Sequence, residues 1–328
     1  MKAFTNVNPR DVAHALTLVR QAKQEGRVAA IAGGGSDLLG LMKERLVAPD
    51  VLVSLKAIKG LDQIKTDGNG VTIGASATLD AIANHPLVGA RYAVLAEAAG
   101  GVATPQIRNV ATLAGNVLQR PWCWYYRNGF KCLKNGGNVC FSVSGENEFH
   151  AIFGGGPSYI VHPSDTAPAL VALAARFRIL GPGGERLVAA EDFFTPPTVD
   201  AARENVLKDD EVITAVLIPA AAASVRSTYH KVMDREAWTH AVVSAAVVLD
   251  VVNDVCRHAR VVLGGVAPIP WRLREVEKIL IGQRLTADLA AKAAELAIAG
   301  ARPLAKNGYK VPMTRAMVAR TIERLGEA

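Results

Sequence analysis

Apolar positions near the start of the chain first follow a helical period and then form short continuous runs. The run at residues 28–31 predicts a buried strand that leads into three glycines, and residues 50–55 predict a second strand. Asn8-Pro9 is typical of a helix start, with Asn8 as the cap. The helical stripe that follows consists of Val12, Ala15, Leu16, Val19 and Ala22.

Hairpins, rather than regular βαβ units, dominate the rest of the pattern. Residues 63–73 predict a hairpin around Asp67-Gly68-Asn69-Gly70, and a second hairpin turns through residues 181–184. A polar turn region is predicted at 104–116, and regular structure is expected to resume at Tyr159. Strands and helices mixed in this way favour an α+β fold.

The last third of the chain predicts a separate, smaller domain after the alanine run at 220–223. Three apolar runs indicate strands, and three amphipathic stretches indicate the helices that cover them. The strands are predicted at 227–233, 241–251 and 259–264, and the helices at 271–280, 287–299 and 314–325.

Composition fits a globular protein of two or three domains, because half of the 328 residues are hydrophobic and one fifth are charged. The net charge of +7 is spread along the chain, which predicts a solvated basic surface or a face that docks an acidic partner. No nucleic-acid-binding motif accompanies this charge. Residues 1–10 lack the apolar region of a signal peptide, and no apolar run reaches the length of a membrane span. The expected location is therefore the cytoplasm.

The segment IAGGGSDLLGLMK, residues 31–43, joins a predicted strand to a predicted helix through three consecutive glycines. Consecutive glycines let backbone N–H groups wrap an anion, and a helix start adds a positive end. A Rossmann fingerprint would need a glycine where Leu38 stands, and no Gly-Lys-Ser/Thr follows to make a P-loop. The segment predicts either a phosphate cradle or a tight strand–helix turn.

Two further segments are rich in polar groups. ATPQIRNVATLAGN, residues 103–116, offers many donors to a polar ligand, although a surface loop has the same composition. In HPSDTAPALVAL, residues 162–173, Asp165 comes directly before Thr166 and an apolar helix. Asp165 is predicted either to cap this helix or to accept hydrogen bonds from ribose hydroxyls.

In this order, AGGGS, QIRNVATLAGN, HPSD, YHKVMDREAW and LGGVAPIPWR resemble the FAD-binding subunit of the molybdenum hydroxylases, the family of xanthine dehydrogenase and aldehyde oxidoreductase. The resemblance covers essentially the whole chain. It implies an α+β fold: a two-part FAD-binding domain of the vanillyl-alcohol oxidase type at 1–222, with subdomains at 1–56 and 57–222. A smaller α+β C-terminal domain of the molybdenum hydroxylase flavoprotein type would follow at 223–328.

The resemblance also implies which residues contact the cofactor. The glycine loop would wrap the FAD pyrophosphate with its backbone, Asp165 would hold ribose or ribityl hydroxyls, and Lys231 would lie beside the phosphates or the ring. No catalytic side chain is expected, because the subunit holds and tunes the flavin. The implied cofactor-binding residues are Ala32, Gly33, Gly34, Gly35, Ser36, Asp37, Leu38, Leu39, Ala103, Thr112, Gly115, Asn116, Asp165, Ile213 and Lys231.

A cysteine-bearing insertion at about 120–158 resembles the bacterial heterotrimeric branch, in which periplasmic aldehyde oxidoreductase and 4-hydroxybenzoyl-CoA reductase carry an extra 4Fe-4S cluster in this subunit. Those relatives place a fourth cysteine four residues before the HPSD histidine, and here that position is Ser158. The resemblance therefore implies a 4Fe-4S or a 3Fe-4S cluster. A Cys₃His zinc site completed by His150, or no metal, stays open. The implied metal ligands are Cys123, Cys132 and Cys140.

Other residues of the insertion have two interpretations. Its aromatic residues fit either a shell that keeps water from a cluster or the insertion's own small core. Lys131 and Lys134 would favour reduction of a cluster, or they are surface charges. Cys256, the fourth cysteine, is predicted to be a packing or surface residue. The aromatic residues are Trp122, Trp124, Tyr125, Tyr126 and Phe130.

The function that the resemblance implies is electron transfer within an oxidoreductase. A large molybdopterin-binding partner would oxidise an aldehyde or N-heterocycle, and a small partner with two 2Fe-2S clusters would pass the electrons to this chain's FAD. The external acceptor is open, and no nicotinamide motif favours NAD. The alternatives are a self-sufficient FAD oxidoreductase of the vanillyl-alcohol oxidase type and a non-catalytic, zinc-stapled scaffold subunit. A twin-arginine signal on a partner would move the folded trimer to the periplasm.

Overall fold

The computed structural model describes residues 1–66, 68, 70–237 and 239–327, and these form three successive lobes. The first lobe is a parallel sheet of order β1-β3-β2, in which two helices make the crossover connections. Val53 lies fully buried at its centre. The elements are β1 (Thr5–Val7), α1 (Val12–Gln24), β2 (Ala29–Ala32), α2 (Leu38–Lys43) and β3 (Val51–Ser54).

The sheet is parallel because β1 and β2 each pair in parallel with β3, and α2 makes the βαβ connection from β2 to β3. One expectation for this lobe is wrong. The cap of α1 is Asp11 rather than Asn8, since the Asp11 carboxylate accepts the backbone N–H of His14 at 2.7 Å. A carboxylate on the free N–H groups of the first turn is the stronger helix start.

The second lobe contains a five-stranded antiparallel sheet of order β4-β5-β8-β6-β7. Both predicted hairpins are present, although Asp67 and Asn69 of the first turn lie outside the described residues. The strands are β4 (Ile64–Thr66), β5 (Gly70–Gly74), β6 (Arg176–Gly181), β7 (Gly184–Ala189) and β8 (Val212–Pro219).

Short helices pack on this sheet and build the polar segments predicted as turns and loops. Thr104 and Thr112 each accept a backbone N–H three residues later, so the region predicted as irregular holds two capped helices. The helices of this lobe are α3 (Leu79–Ala83), α4 (Pro86–Arg91), α5 (Ala93–Gly100), α6 (Pro105–Arg108), α7 (Leu113–Val117), α8 (Trp124–Arg127), α9 (Thr166–Ala172) and α10 (Ala190–Phe193).

The cysteine insertion has little regular structure. It contains α8 and two turns of 3₁₀-helix, Leu133–Asn135 and Phe141–Val143. The prediction that regular structure resumes at Tyr159 is wrong, because the next regular element, α9, begins at Thr166. The residues between run without strand pairing and are held by single backbone bonds, such as His162 N–H to the carbonyl of Ala267.

The third lobe is an antiparallel sheet of order β12-β11-β10-β9, with helices on one face. Ala246 and Val262 face the core of the second lobe, whereas Ala245 and Val261 face the lobe's own helices. This alternation buries both faces of the sheet and joins the lobes. The elements are β9 (Val225–Val232), β10 (Val243–Val252), β11 (Val255–Gly264), β12 (Trp271–Arg272), α11 (Arg274–Leu280), α12 (Ala287–Ile298) and α13 (Lys310–Glu327).

The α+β class is confirmed by these mixed elements. Cys256 lies in β11 and is fully buried in the core of the third lobe, which agrees with a packing role. Among the helices of the described residues, none is both long and apolar enough to cross a membrane.

Candidate cofactor site

The glycine loop lies between β2 and α2 and packs directly against residues 110–112. A Cβ atom on Gly33 would come within 3.0 Å of the Thr112 hydroxyl, and one on Gly34 would collide with the carbonyl of Val110. Gly35 has φ +76°, a backbone conformation that favours glycine. Three positions in a row are therefore closed to side chains, and the loop presents its backbone.

This backbone lines a first cavity of about 280 Å³. The walls opposite come from α7 and from the start of β8. Leu39 does not line the cavity, because it lies beyond the first residue of α2 and is 39% exposed. The predicted residues that line it are Ala32, Gly33, Gly34, Gly35, Ser36, Asp37, Leu38, Thr112, Gly115 and Ile213.

A second cavity of about 310 Å³ continues from the first. Ser36, Asp37 and Gly115 belong to the walls of both, so the two form one groove, called the cofactor groove below. Of the predicted residues, the second cavity adds Ala103, Asn116 and Asp165. A groove with a backbone cradle at one end fits an extended dinucleotide.

The Asn116 side chain also braces the groove from behind. Its oxygen accepts the hydroxyls of Ser164 and Thr166, both at 2.6 Å, and its amide donates to Gln119 at 3.0 Å. These bonds tie α7 to the start of α9. The buried side chain is thus already satisfied within the protein.

Asp165 does not cap α9, although it stands at the cap position. Its carboxylate accepts the Tyr229 hydroxyl at 2.6 Å and the Lys231 ammonium at 2.7 Å. Burial first, and then the negative charge of Asp165, raise the pKa of Tyr229 well above its ordinary value. A buried carboxylate is stable here because an ammonium group lies against it.

Lys231 lies behind Asp165 rather than on the groove. Besides Asp165, its ammonium donates to the carbonyls of Gly101 and Thr239, at 2.9 and 3.1 Å. Among the described residues that line the two cavities of the groove, Lys231 does not occur. Its contact with a cofactor stays a prediction, and the structure gives it a bracing role for Asp165.

Several residues of the groove escaped sequence reasoning. These residues are single side chains from segments that lie far apart in the sequence. They come together only in the folded chain, so local composition does not mark them as a site. Trp122 was interpreted as part of the insertion, and its ring also meets His240 at 5.2 Å between centroids. The residues missed in this way are Ser76, Arg120, Trp122, Glu211, Val212, Arg235, Thr239 and His240.

Arg127 of α8 joins the insertion to the cofactor groove. Its guanidinium donates to Asp37 at 2.7 Å and to Glu44 at 3.3 Å, and it lies 4.3 Å from the centre of the Trp122 ring. The backbone N–H of Arg120 bonds the other Asp37 oxygen at 3.0 Å. Both carboxylate oxygens of Asp37 are therefore bonded to residues of the insertion. The ion pair between Arg127 and Asp37 is called the Arg127 clasp.

The three clustered cysteines and Ser158 line one small cavity, called the cysteine cavity. Burial, together with the neighbouring thiols of Cys140 and Cys132, raises the pKa of Cys123 to about 11. The Cys123 sulfur lies 3.4 Å from Nε2 of His150. In the part of the chain that the structure describes, no group of three or more His, Cys, Asp or Glu side chains is arranged to hold a metal ion.

The surroundings of the cysteine cavity answer two of the open interpretations. Tyr125 and Phe130 pack edge to face at 5.3 Å, and both pack on Phe141, so the aromatics do form a small core. Lys134 is not a surface charge. It is buried and pairs with Glu204 at 2.9 Å, which fastens the insertion to the second lobe.

Comparison with known proteins assigns the two parts of the chain. Residues 2–221 match the model of the FAD binding domain in molybdopterin dehydrogenase, and residues 227–325 match that of the CO dehydrogenase flavoprotein C-terminal domain. The aldehyde oxidoreductase FAD-binding subunit PaoB of Escherichia coli is 34% identical, over 97% of each chain. The carbon monoxide dehydrogenase medium chain of Afipia carboxidovorans is 29% identical, over 98% of this chain and 96% of the relative.

Solved structures agree with these matches along the whole chain. Carbon monoxide dehydrogenase from Hydrogenophaga pseudoflava superimposes with a TM-score of 0.77 at 28% identity, covering 98% of this chain and 96% of the other. The Cu,Mo-CO dehydrogenase gives a TM-score of 0.78 at 27% identity, covering 100% and 99%. The similarity therefore includes the arrangement of the three lobes.

Proposed function

The chain belongs to the FAD-binding medium subunits of the molybdenum hydroxylases, and on that premise we propose that it relays electrons within an aldehyde-oxidising heterotrimer. The partners would be a large molybdopterin-binding subunit and a small subunit with 2Fe-2S clusters. An aldehyde substrate is supported by the 34% identity to an aldehyde oxidoreductase subunit. Substrate chemistry would take place on the large partner, so this chain supplies no acid or base to it.

FAD binding is carried by one observation, the closed packing of the glycine loop. Because Gly33 and Gly34 have no room for a Cβ, the backbone of the loop forms the wall of the cofactor groove. Bound FAD would accept single electrons from iron–sulfur centres and release them singly or in pairs. The protein's own part is to hold the dinucleotide along the groove and to fix the Asp165 side chain against Lys231.

The test is a cofactor count on the complex purified with its partners. We expect one FAD for each copy of this chain, together with copurifying large and small subunits. A chain that carries FAD but purifies without partners would favour a self-sufficient oxidoreductase. A chain with partners but without FAD would overturn the proposal and favour the scaffold.

We also propose that the cysteine cavity holds an iron–sulfur cluster. The support is that four side chains line the same cavity although they are spread over positions 123 to 158 of the sequence. They are Cys123, Cys132, Cys140 and Ser158. Aromatic rings enclose it, as a cluster shielded from water requires. The thiols would draw together and lose their protons on loading, because thiolate is the form that binds metal.

Ser158→Cys gives the sharpest test of the cluster. With three thiolates, we expect a 3Fe-4S cluster or a 4Fe-4S cluster with one labile iron. The added thiolate should raise the iron to four atoms beyond the partner's clusters and slow its loss to a chelator. Zinc in place of iron, or no metal in either protein, would contradict this proposal and leave the FAD assignment intact.

A further inference from the structure

A third cavity, of about 490 Å³, adjoins the far end of the cofactor groove and shares only Asp165 and Cys123 with the predicted cofactor and metal ligands. It lies between the insertion, the loop before α9 and the start of β10. Five residues line both this cavity and the groove, so the two are contiguous: Trp122, Pro163, Asp165, Thr239 and His240. A ligand in this cavity would meet whatever fills that end of the groove.

The walls of this cavity are flat and aromatic. Trp122, Trp124 and Phe149 line it, and they are 47, 59 and 54% exposed. Solvent-exposed large aromatic side chains that cluster around a cavity are typical of a binding surface. The size is in the range of small-molecule sites.

Charge around the cavity selects against anions. Glu146, Glu148 and Asp234 line it, and no lysine or arginine occurs among its described lining residues. Asp165 lines it as well. Glu146 is paired with Lys306 at 2.6 Å and Asp165 with Lys231 at 2.7 Å, which leaves Glu148 and Asp234 to set the local potential. A dinucleotide acceptor carries a negative pyrophosphate, which these carboxylates would repel.

Two imidazoles, the buried one of His150 and the partly buried one of His240, provide polar contacts inside the aromatic walls. Nδ1 of His150 is buried without a hydrogen-bond partner. His240 lies 3.3 Å from the Pro163 carbonyl through Nδ1, so that nitrogen carries a proton and Nε2 is left as an acceptor. Burial lowers the pKa of His240, which keeps the ring neutral. The unpartnered Nδ1 of His150 and the acceptor Nε2 of His240 suit a ligand with carbonyl or hydroxyl groups.

We propose that this cavity binds the external electron acceptor, and that the acceptor is a neutral aromatic quinone. The inference rests on the proposed function, because it requires FAD in the groove. The reaction is balanced: the quinone takes up two electrons and two protons to become the hydroquinone, and the reduced flavin that supplies them returns to FAD. Aromatic walls hold both forms, and neither form is anionic.

The experiment uses the oxidised holo complex and 1,4-naphthoquinone, with calorimetry to measure binding. We expect saturable binding of one naphthoquinone per chain. Trp124→Ala should weaken it about tenfold or more, because a stacking wall is lost, and Trp124→Phe should restore most of it. Naphthoquinone sulfonate, an anion, should bind at least about tenfold more weakly, and Glu148→Lys should reverse that preference.

Reoxidation kinetics distinguish failure of this inference from failure of the proposed function. In a complex reduced with dithionite, Trp124→Ala should slow reoxidation by naphthoquinone and spare reoxidation by ferricyanide, which needs no aromatic site. A complex without FAD would overturn the proposed function. FAD that ferricyanide reoxidises, with no saturable naphthoquinone binding or with tighter binding of NAD⁺, would overturn the quinone site alone.

Discussion

The cofactor groove takes its shape from backbone, whereas the cysteine cavity takes its shape from side chains. Gly33 and Gly34 touch the 110–112 segment so closely that neither position has room for a side chain. The cysteines instead line a cavity, and among the described residues they are not yet arranged to hold a metal ion. A backbone site is therefore complete once the chain folds, and a thiolate site is completed by its ligand.

The largest predicted difference between the two regions is produced by a change at Gly34. We expect Gly34→Ala to reduce the bound FAD at least about tenfold, because the new methyl would collide with the Val110 carbonyl and displace the loop. FAD is measured by absorbance after the complex is purified. Iron should persist, since the cysteine cavity does not include the loop.

Gly89→Ala is the matched control for this change. Gly89 lies within α4, and a Cβ there would meet nothing within 4 Å. We expect full FAD content and a small gain in stability, about 0.5–1 kcal/mol, as alanine favours a helix. Equal FAD loss in both variants would refute the argument from packing.

The reverse separation is expected at Cys132. Cys132 is 6% exposed and packs in one hydrophobic cluster with Leu41 and Tyr126. Cys132→Ala should remove the iron and leave FAD in the groove, as measured by iron and flavin counts on the same sample. Joint loss of both cofactors would mean that the insertion supports the groove, and unchanged iron would remove Cys132 from the ligand set.

Arg127 should connect the two regions, because its clasp reaches Asp37 of the groove from the insertion. Its side chain is 6% exposed and that of Asp37 is 12% exposed, so Arg127→Met leaves a carboxylate without its cation. We expect a loss of about 3 kcal/mol in the free energy of unfolding, with weaker retention of both FAD and iron.

The control for the clasp is Arg178→Met, which breaks an ion pair with the more exposed Glu185. Such a pair contributes at most about 1 kcal/mol. Urea denaturation of the purified protein compares the two variants. Similar small losses would mean that the clasp does not link the regions.

The two regions also differ in what the sequence could predict. The glycine loop was identifiable because consecutive glycines after an apolar run restrict the backbone locally. Asp165 was identifiable as a candidate, but its partner was not, because Tyr229 and Lys231 are 64 and 66 residues away and meet it only in the fold. The parallel order of the first lobe was not predictable for a similar reason, since parallel pairing is a long-range property that local periodicity does not contain.

The insertion was harder still. Its aromatic residues fitted either a shell around a cluster or a small core, and Tyr125 and Phe130 do pack with Phe141. Lys134 was open to interpretation as a surface charge, and only the fold shows its buried ion pair with Glu204. The third cavity could not be predicted at all. Its walls come from 122–124, 146–150, 160–165 and loops of the third lobe, and these segments lie far apart in the sequence and meet only in the fold.

The last effect we predict concerns pH and His162, which lines the third cavity between the insertion and the groove. His162 lies 4.8 Å from the Phe194 ring, and its burial lowers its pKa to about 3. An unfolded histidine titrates near 6.5, so below that pH the unfolded state binds a proton that the folded state refuses. Stability should therefore fall as the pH decreases from 6.5 towards 3, by about 2 kcal/mol at pH 5 from this residue.

His162→Phe should flatten this pH dependence, because phenylalanine binds no proton, while Phe194→Leu should lower stability equally at both pH values. Urea denaturation at pH 7 and pH 5 measures the difference. If the stability of His162→Phe falls between the two pH values as much as that of the parent, His162 is not held neutral by burial. The acid sensitivity of the protein's stability would then come from other titratable groups.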